Sequence, residues 1–392
     1  MLEKLETIDW HNLQHAYGAA SDIPANIRAL ASPHREVRKQ ALWILYGNIF
    51  HQGTRYEASP YAIPFLYELV ENEEVEDRHK IIYYIVQLAL GYESSYLQEG
   101  INPRQIKAEL RQAHEGMSEQ EIQNSKEYGY SYLALLDCYC FAEDGVPILQ
   151  EIILKTPKDE KIENLALVNA AVYALGWFAE KGTSSAELIK SQIPLLKDEE
   201  DIANCILSIG LLAKNTIPQI DMTFLKDYLH SSSPLLKTSA AIALAEMPLT
   251  DTIIDILITA ITSNEELRDV DVRFNKGDLN GYASGILTRY AQTKEEEQKI
   301  LLALSKALAE LNMYQATSTT SFVLEILNKD REIPIKETKL KDLEENEIIA
   351  LKAIANSNGW GENGVSFGNF KLLLRDAGLP DAKKEFLEFL EE

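Results

Sequence analysis

"REVRKQALWILYGNIFHQGTRYEASPYAIPFLYELV", residues 35–70, decides the fold. Up to Phe50 the apolar residues recur every three to four positions with small residues among them, the spacing of an amphipathic helix. From Pro60 the same spacing resumes, and Pro is tolerated in a first helical turn because its missing N–H would have no intrahelical partner there. The polar HQGTRYEAS between them is therefore an inter-helix loop within a single hairpin. A lone hairpin cannot bury its apolar face, so neighbours must stack upon it.

Further segments share this grammar. "DRHKIIYYIVQLALG" (77–91), "NLALVNAAVYALGWFAEKG" (164–182), "EDIANCILSIGLLAK" (200–214) and "SPLLKTSAAIALAEM" (233–247) are long and helical in pattern. Shorter segments open with Pro after an apolar residue: "IPANIRAL" (23–30), "IPFLYELV" (63–70), "VPILQEII" (146–153) and "IPLLKDEE" (193–200). Pro24 to Pro64 spans 40 residues, Pro64 to Pro147 spans 83, and Pro147 to Pro194 spans 47. One unit, two units and one unit again give a period near 40–47, that of helical-hairpin repeats.

On these frames the chain resembles a HEAT-repeat protein over roughly residues 20–310. More narrowly it resembles a set of bacterial HEAT-like proteins of poorly defined function. That likeness is carried by "GNIFHQGTRYEASPYAIPFL" (47–66), "FNKGDLNGYASGIL" (274–287) and a cap, "LKAIANSNGWGENGVSFGNFKLLLRDAGLP" (351–380), with Trp360, Asn363 and the Gly378-Leu379-Pro380 turn. The fold expected is all-α: a right-handed α-solenoid, a HEAT/ARM-like superhelix of about six or seven stacked hairpins. The family implies protein-interaction scaffolds, with minority branches acting as enzymes or nucleic-acid binders.

The expected organisation is a repeat array over 1–327, a charged linker over 328–347 and a helical cap over 348–392. An insertion at about 92–130 interrupts the array, with helices expected at about 103–115 and 118–141. The second of these opens near Ser118, with Glu121 in capping-box position. Cap helices are expected at about 343–357 and 366–377.

Composition narrows the function. Of 392 residues, 46% are hydrophobic, enough for a sizeable core, and 19 Gly with 13 Pro are too few for a turn-rich β fold. The formal charge of −23 repels a phosphate backbone, so nucleic acid is not an expected partner. It suits plain solubility or a basic protein partner. No segment reaches the length of a membrane span and the N-terminus carries no leader pattern, so a soluble, cytoplasmic chain is expected. Cys138, Cys140 and Cys205 give no disulfide framework, and the first two sit in a helical, apolar segment as buried thiols.

Two loops carry the candidate binding residues. The first is His51, Gln52, Thr54, Arg55, Tyr56 and Glu57. Here His51 is a general base with Arg55 and Glu57 holding charge, or the loop is a recognition edge, or Gly53 ends a turn in which His51 and Gln52 bond backbone carbonyls. The second, in "RDVDVRFNKGDLNGY" (268–282), offers Asp271, Asn275, Asp278 and Asn280 beside Asp269. Oxygen ligands and glycines invite calcium, but Arg273 occupies the fifth position where an EF-hand needs a ligand, so no metal is expected. Asp278 or Asn280 is expected instead to cap a helix from about Gly281 to Thr293, and both loops are candidates for one face.

His11 and His15, at i and i+4, are expected on one helix face, without the acid that a zinc motif needs between them. Eight tyrosines, among them Tyr92, Tyr128 and Tyr130, surround the insertion and fit either an interface or its packing. Acid runs at 71–77 and 198–201 would focus a field on a basic partner if they face one groove. The expected function is a non-enzymatic scaffold or regulator that binds a basic protein, for instance as an immunity-type inhibitor of a toxin or nuclease. No cofactor is implied, and a monomer is expected. The alternative is a HEAT-like enzyme, a lyase or glycosylase, with a groove site around His51.

Overall fold

The structure is a computed structural model that describes residues 1–116, 132–157, 161–245, 250–263, 267, 270–291, 293–329, 331, 335–338, 340–362 and 365–391. Among the described residues the chain is all-α apart from two short β-ribbons, and it divides into two compact units, Met1–Thr223 and Phe224–Glu392. The division falls inside the stretch expected as one array.

Unit one contains α1 (Ile23–Ala29), α2 (Arg35–Asn48), α3 (Ala58–Glu71), α4 (Arg78–Leu90), α5 (Pro103–Gly116), α6 (Tyr132–Asp144), α7 (Val146–Lys155), α8 (Ile162–Leu175), α9 (Gly182–Gln192) and α10 (Glu199–Ala213). The pairs α1–α2, α3–α4 and α9–α10 each pack together, and α4, α8 and α10 pack in succession. Helix α10 buries every residue from Ala203 to Ala213, and α8 every one from Ala170 to Leu175. A helix covered on all sides has no polar face to show, which explains why these two segments read as nearly continuous apolar runs with Ala, Ser and Gly. Small residues permit the close approach: a Cβ on Gly176 would lie 3.2 Å from the Ser208 Cα.

Helix α5 begins where expected and packs on α6. Lys107 reaches Glu143 on α6 at 3.0 Å and also pairs with Glu180, tying the insertion down. The expected start of the second insertion helix, with Ser118 and Glu121, lies outside the described residues, as do Tyr128 and Tyr130. Between α6 and α7, Gly145 leaves room for the ring of Tyr67, whose hydroxyl donates to the Ala142 carbonyl oxygen at 2.7 Å. Cys138 and Cys205 are buried and Cys140 is half-buried.

The N-terminal segment corrects one expectation. Residues 14–19 form a two-stranded ribbon, Gln14–His15 with Gly18–Ala19, so His11 and His15 do not share a helix face. His15 is instead a buried tie: its Nε2 donates to Asp22 at 2.8 Å and its Nδ1 accepts from the Tyr17 amide at 3.0 Å.

Unit two contains α11 (Pro234–Leu244), α12 (Asp251–Ser263), α13 (Leu279–Tyr290), α14 (Lys294–Ala307), α15 (Met313–Asn328), α16 (Glu345–Asn356), α17 (Gly368–Asp376) and α18 (Lys383–Phe389). Helices α11 to α16 pack each on its neighbours in sequence. The expected cap helices appear as α16 and α17, with α18 added beyond them. Trp360 joins them, stacking edge-on against Phe370 and Phe386 while its indole N–H donates to the Ile354 carbonyl oxygen. Asn363 lies outside the described residues. The charged stretch 328–347 is anchored rather than bare: Ile335 and Leu343 are buried, and Arg331 pairs with Glu347.

No single helix among the described residues is long and apolar enough to cross a membrane. Ile162–Leu175 and Ala179–Leu195 pass only as a pair bent by 92°.

One buried cation holds two inter-helix loops of unit one together. Arg38, 6% exposed, donates Nε to Asp77 at 2.9 Å and Nη1 to the Ser32 carbonyl oxygen, and it pairs with Glu76. Burial alone would push the Asp77 carboxyl up, but hydrogen bonds from Lys80 and Arg38 outweigh it and hold the group below its ordinary range. Its stabilisation is therefore present above the ordinary carboxylate pKa and lost as pH falls through the lowered one. Asp77→Asn should cost about 3 kcal/mol at pH 7, the scale of a broken buried pair. In urea denaturation the gap to the wild type should shrink as pH falls below the ordinary carboxylate range; a gap that stays constant there would refute this role.

Candidate functional site

The first candidate loop is a built turn. After α2, residues His51–Gly53 form a 3-10 turn in which Gln52 and Gly53 adopt left-handed φ of 51° and 84°. A Cβ on Gly53 would lie 2.6 Å from the ring of Tyr92. The Nδ1–H of His51 is shared between the Gly47 carbonyl oxygen at 3.1 Å and the Tyr17 hydroxyl oxygen at 3.3 Å. The bond to Gly47 is the carbonyl-capping role expected of a structural turn. Ser59 closes the loop by accepting from the Tyr56 amide and donating to the Ile49 carbonyl oxygen, both at 2.7 Å.

The six residues separate by exposure. Gln52 is exposed, while His51, Thr54, Tyr56 and Glu57 are half-buried. Arg55 is only 7% exposed, and its guanidinium bonds the Gly53 carbonyl oxygen and packs on Gly91, so it holds the loop from beneath. Burial, with Tyr17 adding to it, raises the Tyr56 hydroxyl above its ordinary value. Tyr17, 70% exposed, stands over this edge with its ring edge-on to His51. Sequence reasoning missed it, because the ribbon that carries it was read as helix.

The second loop repeats the device in the other unit. Phe274–Gly277 is again a 3-10 turn, with left-handed Asn275, Lys276 and Gly277 at φ of 50°, 57° and 81°. Asp278 caps α13, its carboxylate accepting from the Gly281 amide at 2.9 Å, and Asn275 Nδ2 donates to the Asp278 carbonyl oxygen at 2.7 Å. Asp271 is exposed, Asn280 is buried at 3%, and Asp269 lies outside the described residues. Among the described residues no group of three His, Cys, Asp or Glu is placed to hold a metal ion.

The two loops lie in different units, so each is a local feature. They nevertheless share a signature that was legible and passed over: Phe50-His51-Gln52-Gly53 and Phe274-Asn275-Lys276-Gly277, each followed by an Ala-Ser pair, Ala58-Ser59 and Ala283-Ser284, buried in the next helix. F-x-x-G before a helix, with left-handed backbone at the last x and the Gly, is one turn used twice.

Shallow hollows open between the helices of unit one. One of 450 Å³ lies between α2 and α4, lined by Arg35, Lys39, Trp43, Glu76, Asp77 and Lys80, with Trp43 71% exposed. A second, of 520 Å³, is lined by Glu71, Glu73 and Arg78 beside Glu151, Pro157 and Asn164. A third, of 390 Å³, shares Pro157 and Asn164 with the second and runs to Asp198 and Asp201. The acid runs at 71–77 and 198–201 thus do line adjoining hollows, although Arg78, Lys155, Lys161 and Lys197 are set among them.

His51 lines none of these hollows. The strongly perturbed groups are packed elsewhere: burial raises Cys138, Tyr67 and Tyr84, and it raises Glu143 against the opposing pull of Lys107. No family model matches the chain, and comparison with curated proteins finds no match.

The turn itself is testable. A Cβ on Gly277 would sit 2.3 Å from the Val270 carbonyl oxygen at a φ that L residues resist, so Gly277→Ala should lose about 2–3 kcal/mol. Gly47, in helix α2 with open space around its Cα, is the opposite case: Gly47→Ala should gain about 0.5–1 kcal/mol. Equal effects of the two in chemical denaturation would count against the turn geometry.

Proposed function

We propose that each unit is a stack of HEAT-like helical hairpins and that the protein is a non-enzymatic binding module which captures a basic protein. The observation that carries this reading is the run of open hollows in unit one. They are wide, partly joined, and carry exposed apolar side chains: Trp43 is 71% and Leu195 61% exposed. Such knobs beside carboxylates suit the rim and anchors of a protein interface. The net charge of −23 supplies long-range attraction for a basic partner, and the hollows supply short-range fit. Inhibition of a basic toxin or nuclease is one biological use of such a surface.

The rival, an enzyme of lyase or glycosylase type at His51, needs that imidazole in reach of a substrate. Its Nδ1 is engaged with Gly47 and Tyr17, and it lines none of the hollows described above.

The test is capture on the immobilised protein at 50 and 300 mM NaCl, from the native host, with each captured protein purified and titrated afterwards. A basic protein should bind, be released by salt, and lose about tenfold or more in affinity with Trp43→Ala, the size of an aromatic hot spot. Retention of no protein at low salt, with small molecules alone raising the melting temperature, would end this reading.

A further inference from the structure

Beyond the protein-binding reading, we propose that the 450 Å³ hollow between α2 and α4 is a binding site for a small aromatic carboxylate. The hollow is tied at two places. At one, Arg38 on α2 holds Asp77 and Glu76 just before α4. At the other, the Tyr46 hydroxyl donates to the Gln87 side chain on α4, and its ring lies 4.5 Å from that of Tyr84. Arg38 and Tyr46 are two turns apart on α2, about 12 Å at the helical rise. Lys39, Leu42 and Trp43 line the span between the ties, with Lys80 and Ile81 opposite. Such a slot admits a compact molecule, whereas a helix or an extended strand would have to run over a tie. Its volume lies within the range of small-molecule sites.

The walls specify the body of the ligand. Trp43 is 71% exposed, while Trp10, Trp177 and Trp360 are each 9% exposed or less. An indole left in water gains from a flat apolar group laid against it, and Leu42 and Ile81 extend the same apolar surface.

The charges specify the head. Arg38 and Lys80 are engaged with Glu76 and Asp77. The other charged residues of the lining are Arg35, Lys39 and Glu36, all exposed and without a hydrogen bond or ion pair among the described residues. Two free cations against one free acid leave a local positive balance in a chain of net charge −23. Arg35, Lys39 and Trp43 follow one another at i, i+4 and i+8 on α2, so the cations and the indole share one helix face. The field of the whole chain favours cations. A preference for an anion must therefore arise in the slot itself.

The experiment uses the full chain with 5-fluorotryptophan in place of tryptophan, followed by fluorine NMR, with Trp43→Phe assigning the exposed resonance. The probes are 2-naphthoate, neutral 2-naphthamide and cationic 2-naphthylmethylammonium, each at pH 7 and low salt. Naphthoate should shift the Trp43 resonance saturably and bind about fivefold or more tightly than the amide, the scale of two exposed ion pairs. The ammonium should bind most weakly. The double variant Arg35→Gln, Lys39→Gln should bring naphthoate down to the amide while leaving amide binding and the melting temperature unchanged. Glu36→Gln should act in the opposite sense, raising naphthoate affinity about twofold. No saturable shift, shifts at the buried tryptophans instead, equal binding of acid and amide, tightest binding of the ammonium, or an acid preference that survives the double variant would overturn the site. No partner protein takes part in the titration, so its outcome is separate from that of the capture experiment.

Discussion

Residues 170–175 of α8 and 203–213 of α10 in unit one are enclosed by their neighbours, and the packing of the unit is centred on them. A helix with no solvent face contributes burial on every turn, but it requires a partner on each side and small residues wherever backbones close in. Gly176 against Ser208, and the alanines at 170, 171 and 174, meet that demand. The helices α7 and α9 keep polar faces, with Glu151 and Lys155 on α7 and Glu187 and Lys190 on α9.

The helical core was readable because burial imposes a period. Recurrent apolar spacing, Pro at helix starts and small inner residues located α2, α3, α4, α10 and α11 to within a few residues, while the segment read through 182 ends as helix at Leu175. What escaped detection was set by backbone geometry that residue type does not announce. Gln52 and Lys276 adopt left-handed φ with ordinary side chains, so only the glycine after each hinted at a turn. His11 and His15 have helical spacing, yet Gly18 and the short ribbon bend the chain before a helix can form. The linker at 328–347 looked bare by composition, but two apolar residues, Ile335 and Leu343, suffice to pin it.

Charge shows the same division between what is legible and what is not. The acid surplus is plain in the sequence, while its placement is not. Part of it serves the helices: Glu199, Glu200 and Asp201 open α10, and Glu295, Glu296 and Glu297 open α14, where carboxylates oppose the partial positive charge of the helix N-terminus. Thr293 and Glu296 complete a capping box there. An acid run can therefore be a helix start, as Asp198 to Asp201 illustrate. The candidate residues divide likewise, with Arg55 and Asp278 holding structure, Asn280 buried, and Gln52 and Asp271 exposed.

The three thiols have a practical consequence. Maleimides react with thiolates, and burial keeps Cys138 protonated while Cys140 is pushed up to about 11. Cys205 is enclosed within α10. A cysteine introduced on the rim of a hollow would therefore outpace all three in conjugation at neutral pH. Site-specific dyes or crosslinkers can be attached to the otherwise native chain, with no need to strip thiols from a core that relies on their volume.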